Sequence, residues 1–171
     1  MIQLLRPRSL QRYCPQIPFP PYRHIPGATF HPRTHPSGHS YGAAERDSPP
    51  LTEENWCANE AYLFGGELFN CAYWWEAHEA WESLWNLAER QALRRIYLQG
   101  LIQTTAALVK WREGNERGVV KLWRQAREKL VRVDGEAPVY MGLDIAELVG
   151  CVEPNLVGTD RSCAVLIRLY I

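Results

Sequence analysis

From about residue 52 onward the apolar residues of this chain recur at helical spacing, whereas before it they keep no regular spacing at all. Residues 68–85, LFNCAYWWEAHEAWESLW, carry the densest pattern. Drawn at about 100° per residue, Ala77, Trp81, Leu84, Trp85 and Ala88 share one arc, a stripe wide enough to face a core. The stripe predicts a helix from about Tyr73 to Leu87. Upstream, Thr52 with Glu53 and Glu54 and the apolar Trp56, Ala61 and Leu63 read as a capped helix to about Phe64, interrupted at Gly65 and Gly66, with Asn70 as a break. A third helix, about Gln91 to Arg112, is nearly uncharged through its middle and is expected to be buried on most sides. Gly114 supplies a left-handed stop and Asn115 a cap for a fourth helix, whose Val119, Leu122, Trp123, Ala126, Leu130 and Val133 keep one apolar face. The turn between them is short, so these two helices run antiparallel. After Pro138 the pattern weakens: Asp144 reads as the cap of a short helix with Ile145 and Leu148, and AVLIRLYI at 164–171 suits a helix or a strand equally. The fold class is therefore all-α, a compact bundle of about four to five helices. Residues 51–149 form the helical domain and 150–171 a C-terminal tail.

Composition changes the picture mainly before residue 51. Residues 1–50 hold ten of the twelve prolines and read as a disordered or loosely extended leader. The formal net charge of zero conceals a division, +4 over residues 1–50 and −4 over residues 51–171. A mildly acidic helical body disfavours nucleic acid as a partner. Arg6, Arg8 and Arg12 beside Leu4, Leu5 and Leu10, with no acidic residue before Glu45, fit an organelle transit peptide, so a plastid or mitochondrion stands as the alternative to a cytoplasmic location. Five cysteines without a CxxC pair fit a reducing compartment. The longest uncharged run, Ile96 to Val109, is too short and too polar to span a bilayer, which excludes integral membrane association. His31, His35 and His39 recur every four residues, but Pro32 and Pro36 forbid the helix that would stack them, and they are left out of the site.

The candidate chemistry lies on the second helix. His78 and Glu82 are four apart and Glu79 lies close by, so three proton carriers or metal ligands share one flank, while Glu76 is about 160° around the helix from His78. Trp75 sits within that polar flank and implies that something covers it, as in a pocket. Gln99 and Gln103 share one side of the third helix, and an unpaired buried amide costs about 1–3 kcal/mol. Together with Glu76 they make up the rest of a ligand-binding or polar cluster, with His78, Glu79 and Glu82 as the expected partners and Gly100 as the point where the second and third helices approach. A divalent metal would take His78 and Glu82, although HExxE lacks the second histidine of the HExxH zinc helix. An acid and base pair needs no metal. A purely structural tie to Gln99, Gln103, Arg94 or Arg95 is the third reading. No nucleophile elbow, phosphate-binding glycine loop or dinucleotide fingerprint is present. The tryptophans at helical spacing are core residues or line a homodimer seam, with Trp75 as its exposed member.

The stretch FNCAYWWEAHEAWESLW resembles the signature of the proteins grouped as domain of unknown function 309, through Phe69, Asn70, Tyr73, Trp75, Glu76, His78, Glu79, Glu82 and Trp85. GLIQ at 100–103, GNERG at 114–118 and GLD at 142–144 follow in the family's order, so the resemblance covers about residues 60–149. It implies a compact helical fold and no established activity or cofactor. Two functions follow as expectations. The first is a non-enzymatic helical module, self-associating as a homodimer, whose polar cluster is structural or positions an unknown small molecule. The second is a hydrolase-like enzyme, metal-dependent or acid/base, with His78, Glu79 and Glu82 as catalytic residues and Gln99 or Gln103 orienting the substrate.

Overall fold

The computed structural model describes residues 12–44, 48–157 and 167–170. Among them are five α-helices: α1 (Glu60–Asn70), α2 (Trp74–Leu87), α3 (Leu93–Arg112), α4 (Glu116–Glu136) and α5 (Ile145–Val157). Between α4 and α5 a two-stranded antiparallel hairpin, β1 (Val139–Tyr140) and β2 (Leu143–Asp144), pairs Val139 with Asp144 and Tyr140 with Leu143. The all-α expectation therefore holds. No helix among the described residues is long and apolar enough to cross a membrane.

The caps of α4 and α5 form as their residue types dictate. Gly114 takes φ +71° and Asn115 Oδ1 accepts from the Gly118 N–H at 2.9 Å, while Asp144 Oδ1 accepts from the Glu147 N–H at 2.8 Å. Val119, Trp123, Ala126, Leu130 and Val133 bury the apolar face of α4 against α3. The two helices pack tightly at Gly100, where an added Cβ would stand 3.0 Å from the Leu130 side chain. Gly100 thus brings α3 to α4, not to α2 as its position beside Gln99 suggests.

The first helix departs from expectation at both ends. Thr52 caps only a turn, its Oγ1 accepting from the N–H groups of Glu54 and Asn55, and a short 3-10 turn follows at Trp56–Ala58. The cap of α1 is Asn59, whose Oδ1 accepts from the Tyr62 N–H at 3.1 Å. The helix then passes through Gly65 and Gly66 to Asn70. These glycines are packing residues: a Cβ at Gly65 would overlap the Trp81 indole, whose Nε1 donates to the Tyr62 carbonyl at 3.2 Å. Tight contact between α1 and α2 outweighs the glycine's low helix propensity. Deeper in the core, Tyr62 Oη donates to the Met141 carbonyl at 2.9 Å and meets Tyr97 Oη at 2.6 Å, joining α1, α3 and the hairpin turn.

Two segments expected to lie outside the bundle touch it. α5 runs past residue 149 to Val157, with Val152 and Leu156 buried. Of the ambiguous 164–171 segment, residues 167–170 are described: Ile167 exchanges backbone bonds with the Asn70 side chain at 2.6 and 2.7 Å, and Leu169 bridges Leu143. Residues 164–166 and 171 lie outside the described residues. The leader, over residues 12–44, forms turns and coil with neither helix nor strand, and rests on α1 and α2 with Cys14, Ile17 and His24 buried.

The two glycines predict opposite substitutions. Gly65→Ala is expected to destabilise by about 2 kcal/mol through overpacking on Trp81. Gly66→Ala, whose Cβ would meet Leu169 at an ordinary 3.6 Å, is expected to stabilise by up to ~1 kcal/mol. Urea denaturation midpoints of the two variants decide, and equal shifts would refute the packing role.

Candidate functional site

α2 sends its polar side chains to two different neighbours. On one side Glu76 is buried among leader residues: its Oε1 accepts from the His24 backbone N–H at 2.8 Å and from His39 Nε2 at 3.1 Å. His39 Nδ1 in turn lies 2.8 Å from Ser40 Oγ. Glu76 Oε2 is buried with no hydrogen-bond partner among the described residues. One helix earlier, Glu67 repeats the arrangement: Oε1 accepts from the Cys14 backbone N–H and Oε2 from Arg12 Nε, each at 2.6 Å. Arg12 also donates to the carbonyls of Cys14 and Ile17 and lies over the Phe19 ring.

These contacts lay the leader across α1 and α2 and enclose a cleft of about 880 Å³. Phe19, Pro20, Phe64 and Trp75 supply apolar wall, and Glu76, His39, Glu79, Arg33 and Ser83 supply polar groups. Trp75 meets the rings of His24 and His31 edge-on at 5.3 Å, and Arg33 Nε donates to Glu79 Oε2 at 3.0 Å. The tryptophan that looked misplaced in a polar flank is thus covered by the chain's own leader.

On its other side α2 faces α3. His78 Nδ1 lies 3.2 Å from the Ile102 carbonyl and 3.4 Å from Thr105 Oγ1, so Nδ1 carries a proton, and Nε2 stands 3.9 Å from Glu82 Oε2. One ligand atom from each of His78, Glu79 and Glu82 falls within 4.8 Å of the others, and all three side chains are half-buried.

The glutamines do not join this group. Gln103 Nε2 donates to Gln125 on α4 at 3.4 Å and its Oε1 is buried with no hydrogen-bond partner among the described residues, while Gln99 is half-buried on α3. Gln103 lies one turn from Gly100, on the side of α3 that meets α4, so it is turned away from α2. Neither expected arginine reaches the cluster. Arg95 caps α2 by donating to the carbonyls of Trp85 and Ala88 at 2.7 and 2.8 Å, and Arg94 pairs with Glu53 and Glu89. Sequence reasoning missed Arg12, His24, Arg33 and His39 as partners of helical glutamates. Its one available signal was negative: Glu67 and Glu76 sit at or near apolar stripes with no basic residue one turn away.

Burial also sets the titration of leader groups. Burial, with the His31 charge beside it, lowers the His24 pKa below its usual value even though Glu76 opposes the shift. Burial, aided by the Glu67 and Glu60 charges, pushes the Cys14 thiol up to about 11.

The model of the family described as Domain of unknown function (DUF309) matches residues 62–122, which bears out the resemblance read from the sequence. The matched segment runs from α1 into α4 and includes the EAHExxE helix, and the leader and α5 lie outside it. No curated protein matches the chain.

Two outcomes follow from the leader anchors. Arg12→Met leaves Glu67 buried with a single donor and is expected to cost about 2–3 kcal/mol, since Arg12 is partly in solvent and a fully buried broken pair costs somewhat more. Thiol labelling with peptide mapping at pH 8 reads this out: Cys14 is protected in the native chain and becomes labelled in the variant, whereas unchanged protection would refute the anchor. Because the folded-state pKa of His24 lies below its unfolded value, the unfolded chain binds the extra proton as pH falls below about 6.5. Stability from this group is therefore present above that pH and declines below it, and His24→Gln is expected to close its stability gap to the native chain between pH 7.5 and 5.5.

Proposed function

Starting from a family whose description assigns no activity, we propose that the protein is a non-enzymatic helical module that holds a small molecule in the cleft between its leader and α1 and α2. In this reading the polar residues of α2 serve as ties and positioning groups. The division of α2 supports it best: Glu76 is bonded to the leader and His78 to the backbone of α3, so these two residues do not face a common substrate. A cleft of about 880 Å³ lies within the ~300–1,000 Å³ typical of small-molecule sites. The Trp75 ring, the exposed seam residue of the homodimer expectation, packs edge-on against His24 and His31 of the same chain.

A second reading, a divalent metal with hydrolase-like chemistry, is supported by the outer flank of α2. A histidine whose Nδ1–H is fixed on a backbone carbonyl and whose Nε2 faces a carboxylate has the orientation found in metal ligands, and Glu79 and Glu82 stand within reach. Arg33 competes for Glu79.

A thermal-shift screen of a metabolite library against the full chain and a Ser83→Trp variant, which fills the cleft, tests the first reading. At least one compound is expected to raise the native Tm and to leave the variant unmoved, and shifts that survive the substitution would overturn it. Metal content after chelator-free purification tests the second: near-stoichiometric metal in the native chain and none in a folded His78→Ala, Glu82→Ala variant supports it, and no metal in either rejects it.

A further inference from the structure

We infer that the face of α1 and α2 beneath the leader is a peptide-docking groove, which accepts an arginine- and proline-containing segment of another protein in place of leader residues 12–24. The inference goes beyond the cleft reading and does not depend on it. Four side chains hold this part of the leader: Phe64 and Glu67 of α1, Tyr73 just ahead of α2, and Glu76. Glu67 takes the Cys14 N–H and Arg12 Nε, Glu76 Oε1 takes the His24 N–H, and Tyr73 Oη donates to the Pro20 carbonyl at 3.2 Å. The Phe19 ring lies 5.4 Å from that of Tyr73 and 5.9 Å from that of Phe64, with the Arg12 guanidinium 4.5 Å above it.

Three of these contacts read main-chain groups, at Cys14, Pro20 and His24, so any chain following the same path satisfies them. Arg12 and Phe19 supply the selectivity: a guanidinium for Glu67, and at the same spacing an aromatic ring flanked by prolines. The segment brings no helix or strand of its own, only a turn closed by the Ile17 N–H on the Cys14 carbonyl at 3.0 Å. Pro15, Pro18, Pro20 and Pro21 fix φ before docking, which lowers the entropy lost on binding. All four holding side chains fall within the residues 62–122 matched by the family model and the leader falls outside it, so groove and occupant are separable in sequence. Tethering gives the leader an effective concentration on the order of millimolar, and a free segment takes the groove once the leader's own anchors are weakened. Displacement removes Ile17, Phe19 and Pro20 from the wall of the cleft, so docking of the partner opens it.

The probe is a dye-labelled peptide of residues 12–24 carrying Cys14→Ser, followed by fluorescence anisotropy on the native full chain and on a full-chain Arg12→Met, Phe19→Ala variant. The variant weakens the leader's hold and leaves α1 to α5 unchanged in sequence. The peptide is expected to bind the variant at least about tenfold more tightly than the native chain. Binding is expected to weaken at least about tenfold when the peptide itself carries Arg12→Met and Phe19→Ala, or when Glu67→Gln is added to the variant. No binding to the variant, equal binding to variant and native chain, or equal binding of a scrambled peptide overturns the inference. Circular dichroism shows whether the variant keeps its helices. If it does not, labelling of Cys14 in the native chain decides: excess peptide is expected to speed it and scrambled peptide to leave it unchanged, and no effect of either overturns the inference. Light scattering separates the other occupant. The native chain is expected to be monomeric, and a native dimer that the variant turns into a monomer would place the leader of a second copy in the groove and overturn its assignment to a separate protein.

Discussion

A carboxylate leaves water only where donors meet it, and α1 and α2 each bury one whose donors come from the leader. Glu67 and Glu76 draw on the backbone N–H of Cys14 and His24, reinforced by Arg12 and His39. The remainder of the leader side follows from these two points. A proline-rich segment without periodicity cannot build a core, yet it can satisfy two fixed acceptors, and once it does so Ile17 is buried and Trp75 is enclosed by imidazole rings.

The division of α2 has an electrostatic corollary centred on Glu79. It is bonded to Arg33 across the cleft and also stands within ligand distance of His78 and Glu82 on the outer flank. Any cation drawn to the outer flank therefore competes with Arg33, and any shift of Arg33 alters the charge of the cleft lining. The two flanks share a carboxylate, and so they are linked in free energy whichever of them is occupied.

What could be read from the sequence divides along the same lines. α3, α4 and the caps at Asn115 and Asp144 were legible because stripe, stop and cap are local signals, each within one or two turns of the residues they control. α1 was cut short because Gly65 carries the signature of a helix breaker while serving as the flat spot against Trp81, a contact that no single-helix pattern contains. Of the polar cluster read from the sequence, His78, Glu79 and Glu82 lie side by side as their spacing predicts, whereas Glu76 and Gln103 face other neighbours. His78 does bond to α3, but through Ile102 and Thr105, since the face of α3 that bears Gln103 looks toward Gln125. His39 was set aside because prolines deny it a helix, and it needed none: a turn presents it to Glu76 as well as a helix would.

The leader anchors also set an order of assembly. Arg12 and Cys14 lie 55 and 53 residues ahead of Glu67, and His24 lies 52 ahead of Glu76. During synthesis the leader thus emerges from the ribosome well before the acceptors that give it a conformation, with the Cys14 thiol and its aromatic residues in solvent meanwhile. The stretch of these residues made earliest is the one that finds its place only after two later helices have formed, and its docking reports that the nascent chain has completed α1 and α2.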